Sequence, residues 1–368
     1  MRILHTESSL GWGGQEMRIV AEAAGFAARG ADVTIAAPEE AAILARAAER
    51  GVCAVALPIA RKHPASLYAL RRFLRARRGR LDVVNTHSST DTWLTALAVR
   101  SLRGAPAFVR TRHLSSALSD NRATRWLYTR APQHIVVTGE RLRDNLHRQF
   151  GTPLSHVTSV PTGIDLARFR PRDRAQARAA KHLGDGTWIG VLAALRNWKG
   201  HAFLLDALAM LASHPRAPRL LVIGDGPQRR NLERRVADMG LGERVRFEGF
   251  RDDPERYLPA LDVFVLPSYG DEGVSQAAMQ AMACALPVVV TDVGGMRDAV
   301  TPDVTGVMVP ARDAAALAAA IARLLDDAEF ARALAERAHV KAQAEFGLDR
   351  MLDRMQTVFE RAIARTSR

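Results

Sequence analysis

Glu272 and Gln280 stand eight residues apart in PSYGDEGVSQAAMQAMACALPVVV, residues 267–290. A carboxylate accepts hydrogen bonds and an amide both donates and accepts them. Such a pair could grip the hydroxyls of a neutral polyol such as a sugar. Glu272 could equally take the place of an anion at a helix start. A second group is Arg196 and Lys199 in VLAALRNWKGH, residues 191–201. Two cations beside the free N–H groups of a helix that starts near Lys199 would hold a diphosphate, though a surface charge pair is the simpler alternative. A third group follows two neighbouring strands: His87, Ser88 and Asp91 in NTHSSTD, then Arg110, Arg112 and His113 in VRTRHLSS, residues 109–116. A loop histidine can act as general base, hydrogen-bond donor or bystander.

Glycines mark the remaining candidate loops. GWGGQEMR, residues 11–18, puts Gly13 and Gly14 at a helix mouth, where backbone N–H groups approach a phosphate. A dinucleotide fingerprint would need glycine at 16, which is Glu16, and an acid closing the second strand, which reads TIAAP. NAD binding is therefore not expected. Gly224-Asp225-Gly226-Pro227 reads as a strand-to-helix turn with Pro227 at the first helical position. Gly249 and Phe250 follow the next strand, and TDVGG, residues 291–295, closes the rim beyond PVVV. In PTGID, residues 161–165, Gly163 is expected to adopt a positive φ.

These loops need a scaffold that presents them on one edge. Apolar runs alternate with helical patterns along the chain. Strands are expected at 3–5, 33–36, 52–57, 83–86, 107–110, 134–137 and 157–160, and then at 188–192, 219–223, 245–247, 263–266, 288–290 and 306–309. Repeated βα units give a parallel, doubly wound sheet, and such sheets bind ligands at the carboxyl ends of their strands. In that frame a helix runs from near Val274 to about Cys284, with Gln280 about two turns up it. The pattern pauses over residues 161–185, rich in Pro, Arg and Gly, where the domain boundary is placed. Residues 313–365 read as amphipathic helices broken near Phe346 and Gly347.

The 368 residues suffice for two domains. With 48% hydrophobic and 25% charged residues the chain is of globular, not disordered, composition. Its two cysteines, Cys53 and Cys284, lie in apolar stretches without CxxC partners, which fits a reducing compartment and excludes a disulfide framework. The start MRILHTESS has no apolar core of a leader, and no run reaches membrane-spanning length. The net charge of +13 calls for an anionic partner. It is concentrated at Arg61, Lys62, Arg71, Arg72, Arg75, Arg77, Arg78 and Arg80, with no acid between 61 and 80. Leu67, Leu70 and Leu74 share helical spacing there, so either an anionic membrane surface or a solvated basic face is implied. No helix-turn-helix, zinc finger or RNP pattern appears, and the basic block lacks interleaved aromatics, so no nucleic-acid partner is expected.

The wording PS, EG, Q, AM and PVV within 267–290 resembles the signature of the retaining family 4 glycosyltransferases of the GT-B fold. The other loops resemble the same family. The resemblance implies an α/β GT-B chain with two Rossmann-like parallel-sheet domains facing a cleft. An acceptor domain would span 1–168 and a nucleotide-sugar domain 169–347, with a helix, 348–368, crossing back to the first. It implies that Glu272 meets the donor sugar, with Gly273, Val274 and Ser275 beside it, and that position 280 meets the ribose. The family writes Glu there, and Gln280 keeps hydrogen bonding but not charge. Lys199 and Arg196 would neutralise the leaving diphosphate. The family places its arginine at Ala194, so Arg196 would act from two residues further on. His113 would lie near the donor sugar, and Gly13 and Gly14 near the diphosphate. Gly224, Gly226, Gly249 and Phe250 would line the nucleotide pocket. Arg18, His87, Ser88, Asp91 and Arg112 are the acceptor-side candidates.

The activity implied is retaining transfer from a nucleotide-sugar, a UDP-sugar favoured, to a cell-envelope glycan or glycolipid such as a lipopolysaccharide core. No cofactor is expected. No metal is expected either, since no Asp-x-Asp pair occurs in the chain. A cytoplasmic protein held peripherally at the inner membrane face is expected. A GT-B-like sugar-nucleotide epimerase is the rival enzyme, and a basic nucleic-acid-binding protein the rival outside enzymes.

Overall fold

The computed structural model describes residues 1–113, 117–270 and 272–366. The chain opens with β1 (Arg2–Thr6), α1 (Gly14–Ala28), β2 (Asp32–Ala37), α2 (Ala42–Ala48), β3 (Cys53–Ala56) and α3 (Pro64–Ala76). It continues with β4 (Val83–Thr86), α4 (Ser89–Arg100), β5 (Ala107–Arg112), α5 (Arg122–Thr129), β6 (His134–Val137), α6 (Glu140–Phe150) and β7 (Val157–Ser159). After α7 (Arg174–Ala180) come β8 (Trp188–Leu192), α8 (His201–Met210), β9 (Arg219–Ile223), α9 (Arg229–Asp238) and β10 (Val245–Gly249). Then follow β11 (Val263–Leu266), α10 (Gln276–Ala283), β12 (Val288–Thr291), α11 (Met296–Ala299) and β13 (Val307–Val309). The chain ends in α12 (Ala314–Asp326), α13 (Ala328–Glu345) and α14 (Leu348–Thr366).

The chain divides into two compact units, Met1–Gly163 with Leu348–Arg368, and Ile164–Gly347. Ile164 and Phe169 pack in the core of the second unit, so the division at Gly163 falls inside the 161–185 pause, a few residues before the 168 that the resemblance implied. That pause is also not structureless, since α7 lies inside it.

The first unit is a seven-stranded parallel sheet ordered β3-β2-β1-β4-β5-β6-β7. Its central strands β4, β5 and β6 are buried on both faces, as parallel strands covered by helices are. The last helix belongs here. Met351, Leu352, Met355, Val358, Phe359 and Ala362 fall on one helical stripe and are buried against the first unit's core. Leu352 packs so closely on α1 that a Cβ at Gly25 would lie 2.5 Å from it. Arg29 holds the same helix through Asp349 and Asp353. Gly163 does not have the positive φ expected of it. It is glycine because a Cβ there would lie 2.7 Å from Leu348 Cα.

The second unit is a six-stranded parallel sheet ordered β10-β9-β8-β11-β12-β13. In both sheets the chain starts in the middle, winds to one edge, then returns and winds to the other. The reversal falls between β1 and β4 in the first sheet and between β8 and β11 in the second. Loops diverge at such a switch point and leave a crevice at the carboxyl ends of the strands.

The basic segment folds as α3, but its apolar face is not available to a bilayer. Leu70, Phe73 and Leu74 are buried in the first unit's core and Leu67 packs against it. Arg71 donates to Ser101, and the Arg77 guanidinium lies 3.7 Å from the centre of the Phe73 ring. Arg72, Arg75 and Arg78 are exposed, as is Tyr68. No helix among the described residues is long and apolar enough to cross a membrane. Cys53 is exposed although its sequence neighbours are apolar, whereas Cys284 is buried.

Candidate active site

In the second unit, four loops interlock at the carboxyl edge of the sheet. The loop after β8 turns through a short 3-10 segment, Asn197–Lys199, and α8 begins only at His201. Lys199 therefore sits in the turn before the helix, not at its first position. Gly200, at φ 73°, follows it. A Cβ there would lie 1.9 Å from the carbonyl oxygen of Pro267, which directly follows the neighbouring strand β11. Glycine is thus what lets the two switch-point loops touch.

That contact brings Lys199 to Glu272. The lysine Nζ lies 2.5 Å from Glu272 Oε1, and Ser268 Oγ donates to the same oxygen at 2.6 Å. Both charged side chains are largely buried. Glu272 is not the helix cap, because Ser275 takes that role by accepting from Ala278 N. The loop beyond β12 clamps the carboxylate's backbone. Gly295 N donates to Glu272 O at 3.1 Å. A Cβ at Gly294 (φ 54°) would lie 1.8 Å from that same oxygen. Gly273 and Val274 complete this loop, Val274 buried and Gly273 half-buried.

The loop after β9 closes the other side. Leu195 N donates to Asp225 O and Gln228 N to Leu195 O, each at 2.9 Å. A Cβ at Gly224 would lie 2.0 Å from Ala193 O, and one at Gly226 2.8 Å from Leu195 N. Pro227 falls two residues before α9 rather than at its first position. Gly249 O accepts from Gly224 N at 2.8 Å, and Phe250 is exposed. Arg196 is exposed, with no partner for its guanidinium among the described residues. Gln280 is half-buried in α10, which starts at Gln276, so it stands one turn up the helix, not two.

In the first unit, a polar cluster occupies the β1–β4 switch point. Asp91 accepts from His87 N and Ser88 N at 2.9 Å and from Thr6 Oγ1 at 2.8 Å. Burial pushes its carboxyl up to about 7, with the charge of Glu7 acting in the same direction. Glu7, just past β1, is buried and accepts from Ser9 N at 2.8 Å, from Gln15 Nε2 at 2.5 Å and from Ser88 Oγ. Gly13 and Gly14 open α1 beside it, with Gly13 extended and offering no side-chain cap. His87 lies between two other imidazoles, with Nε2 2.9 Å from His5 Nδ1 and Nδ1 2.9 Å from His113 Nε2.

Two acceptor-side candidates lie elsewhere. Arg18 is fully buried, donating to Val160 O at 2.7 Å beside Glu22 and Met355 under α14. It is a core group and offers a ligand no surface. Arg112 is buried against Tyr128, donating to its hydroxyl at 3.2 Å. Glu7, Gln15, His5 and Ser268 were missed by the sequence reading. Glu7 and Ser268 sit just past strands β1 and β11, so strand-edge position was the available signal. The last three residues of the 109–116 stretch lie outside the described residues.

Two Rossmann-like parallel sheets, each with polar loops at its switch point, are the architecture of the GT-B fold. Residues 12–168 match the model of Glycosyltransferase Family 4, and residues 186–327 that of Glycosyl transferases group 1. A D-inositol 3-phosphate glycosyltransferase 1 of Catenulispora acidiphila is 32% identical over 311 residues, covering 77% of this chain and 73% of that protein. A 2-deoxystreptamine glucosyltransferase of Streptomyces kanamyceticus is 32% identical over 209 residues, 55% of this chain and 54% of that one. The Anabaena Alr3699/HepE structure in complex with UDP superposes with a TM-score of 0.87 at 19% identity, covering 98% of this chain and all (100%) of that one. The chain belongs to glycosyltransferase family 4 and is a glycosyltransferase.

Proposed function

We propose that this enzyme moves a sugar from a UDP-sugar to a hydroxyl of a cell-envelope glycan or glycolipid, such as a lipopolysaccharide core, with retention of configuration and without a metal. The observation that carries the reading is the meeting of Lys199 and Glu272 at the switch point of the second sheet. One side chain suits a phosphate and the other a sugar hydroxyl, so a nucleotide-sugar laid along this edge would meet both. Lys199 and Arg196 would neutralise the diphosphate as charge grows on it, which is electrostatic stabilisation of the transition state. Glu272 would orient the sugar and Gln280 the ribose. The bond from the anomeric carbon to phosphate breaks as the bond to the acceptor oxygen forms on the same face. The departing phosphate takes the acceptor's proton. A UDP donor draws support from the Anabaena neighbour, whose structures hold UDP and UDP-glucose. The exposed arginines of α3 would hold the enzyme at an anionic membrane face.

The names of the curated relatives favour a second acceptor class. Inositol phosphate and 2-deoxystreptamine are small cyclitols rather than glycolipids. Calorimetric titration of UDP, GDP and ADP into metal-free protein tests the donor side. Binding of UDP alone is expected, whereas a folded protein that binds none overturns the reading. Product analysis with the matching donor then separates glycolipid, cyclitol and no-acceptor outcomes. Conversion of the donor with no acceptor present identifies an epimerase.

A further inference from the structure

Three histidines from three adjacent strands form a continuous chain inside the first unit. His5 lies in β1, His87 just past β4 and His113 just past β5, and these strands neighbour one another in that order. The rings follow one another at centroid separations of 5.2 Å with interplanar angles of 27° and 30°. Each successive pair is joined from Nδ1 of the inner ring to Nε2 of the outer ring at 2.9 Å. All three are buried. Burial drives the His5 ring down to about 3 and His87 and His113 well below the ordinary imidazole range, so all three are neutral near pH 7.

A neutral imidazole carries one N–H and one lone pair, so the chain has only two polarities. In one, every Nδ1–H donates outward, leaving His5 Nε2 a bare lone pair and His113 with its proton on Nδ1. In the other, every Nε2–H donates inward, leaving His5 Nε2–H a buried donor. His5 Nε2 has no partner among the described residues, and its ring meets the edge of Phe359 in α14. A buried N–H without a partner is rarer and costlier than an under-used acceptor. The inner end of the chain therefore decides what its outer end offers.

We propose that His5 and His87 are positioning residues that fix His113 as its Nδ1–H tautomer, so that His113 offers a hydrogen-bond donor and not a general base. The ligand oxygen that would accept from it rests on the function proposed above. The tautomer itself is a property of the protein alone. Nitrogen-15 spectra of imidazole-labelled protein read it without any ligand. The expected spectrum shows His113 with Nδ1 protonated and Nε2 unprotonated, and His87 likewise. His87→Phe removes the acceptor's partner and should turn His113 into a mixture of tautomers, lowering kcat more than it raises KM. A wild-type His113 protonated on Nε2 overturns the proposal, as does an unchanged His113 tautomer in folded His87→Phe. If that variant does not fold, the wild-type spectrum alone still decides the polarity. Failure of nucleotide binding would leave this result standing, so the two readings fail separately.

Discussion

Lys199 and Glu272 form a salt bridge across the switch point of the second sheet, Nζ to Oε1 at 2.5 Å, with Ser268 sharing the same carboxylate oxygen. The lysine belongs to the loop after β8 and the glutamate to the loop after β11, so each helps hold the other's loop. If Lys199 also neutralises a leaving diphosphate, Lys199→Ala should cut kcat about 10²-fold or more, as loss of one strong oxyanion contact does. Near-wild-type turnover in a folded variant would sink the assignment.

Gly294→Ala tests how tightly Glu272 is held. The new methyl would enter at 1.8 Å from Glu272 O, on a residue at φ 54°. Unfolding should show a loss of about 1–3 kcal/mol, and UDP affinity should fall with it. Gly240→Ala is the control. It shares a positive φ of 64° but has nothing within 4 Å of the new carbon, so only the backbone cost of about 1–2 kcal/mol remains. Equal UDP affinity in both variants would show that the 294 loop does not set Glu272.

His201 should make stability depend on pH. It is buried with neither ring nitrogen partnered, and burial holds it at about 4. An unfolded histidine titrates near about 6.5. Between these values the unfolded chain binds a proton that the folded chain does not, so stability is lost as pH falls from about 6.5 toward 4. One such proton is worth up to about 1.4 kcal/mol per pH unit. Glu22 and Asp91, both pushed up to about 7, act in the opposite direction over the same range. The comparison of His201→Leu with wild type isolates the histidine. Denaturation at pH 7, 6 and 5 should give the variant a shallower acid loss, and identical slopes would reject the account.

The exposed arginines of α3 can be separated from those with structural work. Arg72, Arg75 and Arg78 face solvent, while Arg71 and Arg77 are engaged with Ser101 and Phe73. Changing the three exposed residues to Gln should weaken binding to phosphatidylserine vesicles about a hundredfold, at about 1 kcal/mol per arginine. Turnover on a soluble acceptor should persist. Unchanged vesicle binding would reject a role for this face.

The central strands were legible in the sequence because parallel strands buried on both faces read as unbroken apolar runs, as VFVL and VVV do. Helix starts were less legible. Lys199 and Pro227 were read as first helical residues, yet α8 and α9 begin two residues further on. Glycine turns let the chain run on before the first helical bond forms, which no periodicity records. Arg18 was read as a ligand group because an exposed arginine and one that crosses a core look alike in one dimension. The pairing of Lys199 with Glu272 depends on strands β8 and β11 being neighbours, which is a fact of strand order and not of local sequence. His5 escaped notice because one histidine in an apolar strand has no visible partner until β4 and β5 are laid beside it.

The chain leaves the first unit at Gly163 and re-enters it only at Leu348. As the protein is synthesised, the first sheet must therefore wait, with its α14 groove uncovered, while the whole second unit emerges. Phe359, which closes the inner end of the histidine chain, is made only after the whole second unit. The first unit thus cannot be finished before the second has been made, and a chain stopped before Leu348 leaves the first unit's core uncovered.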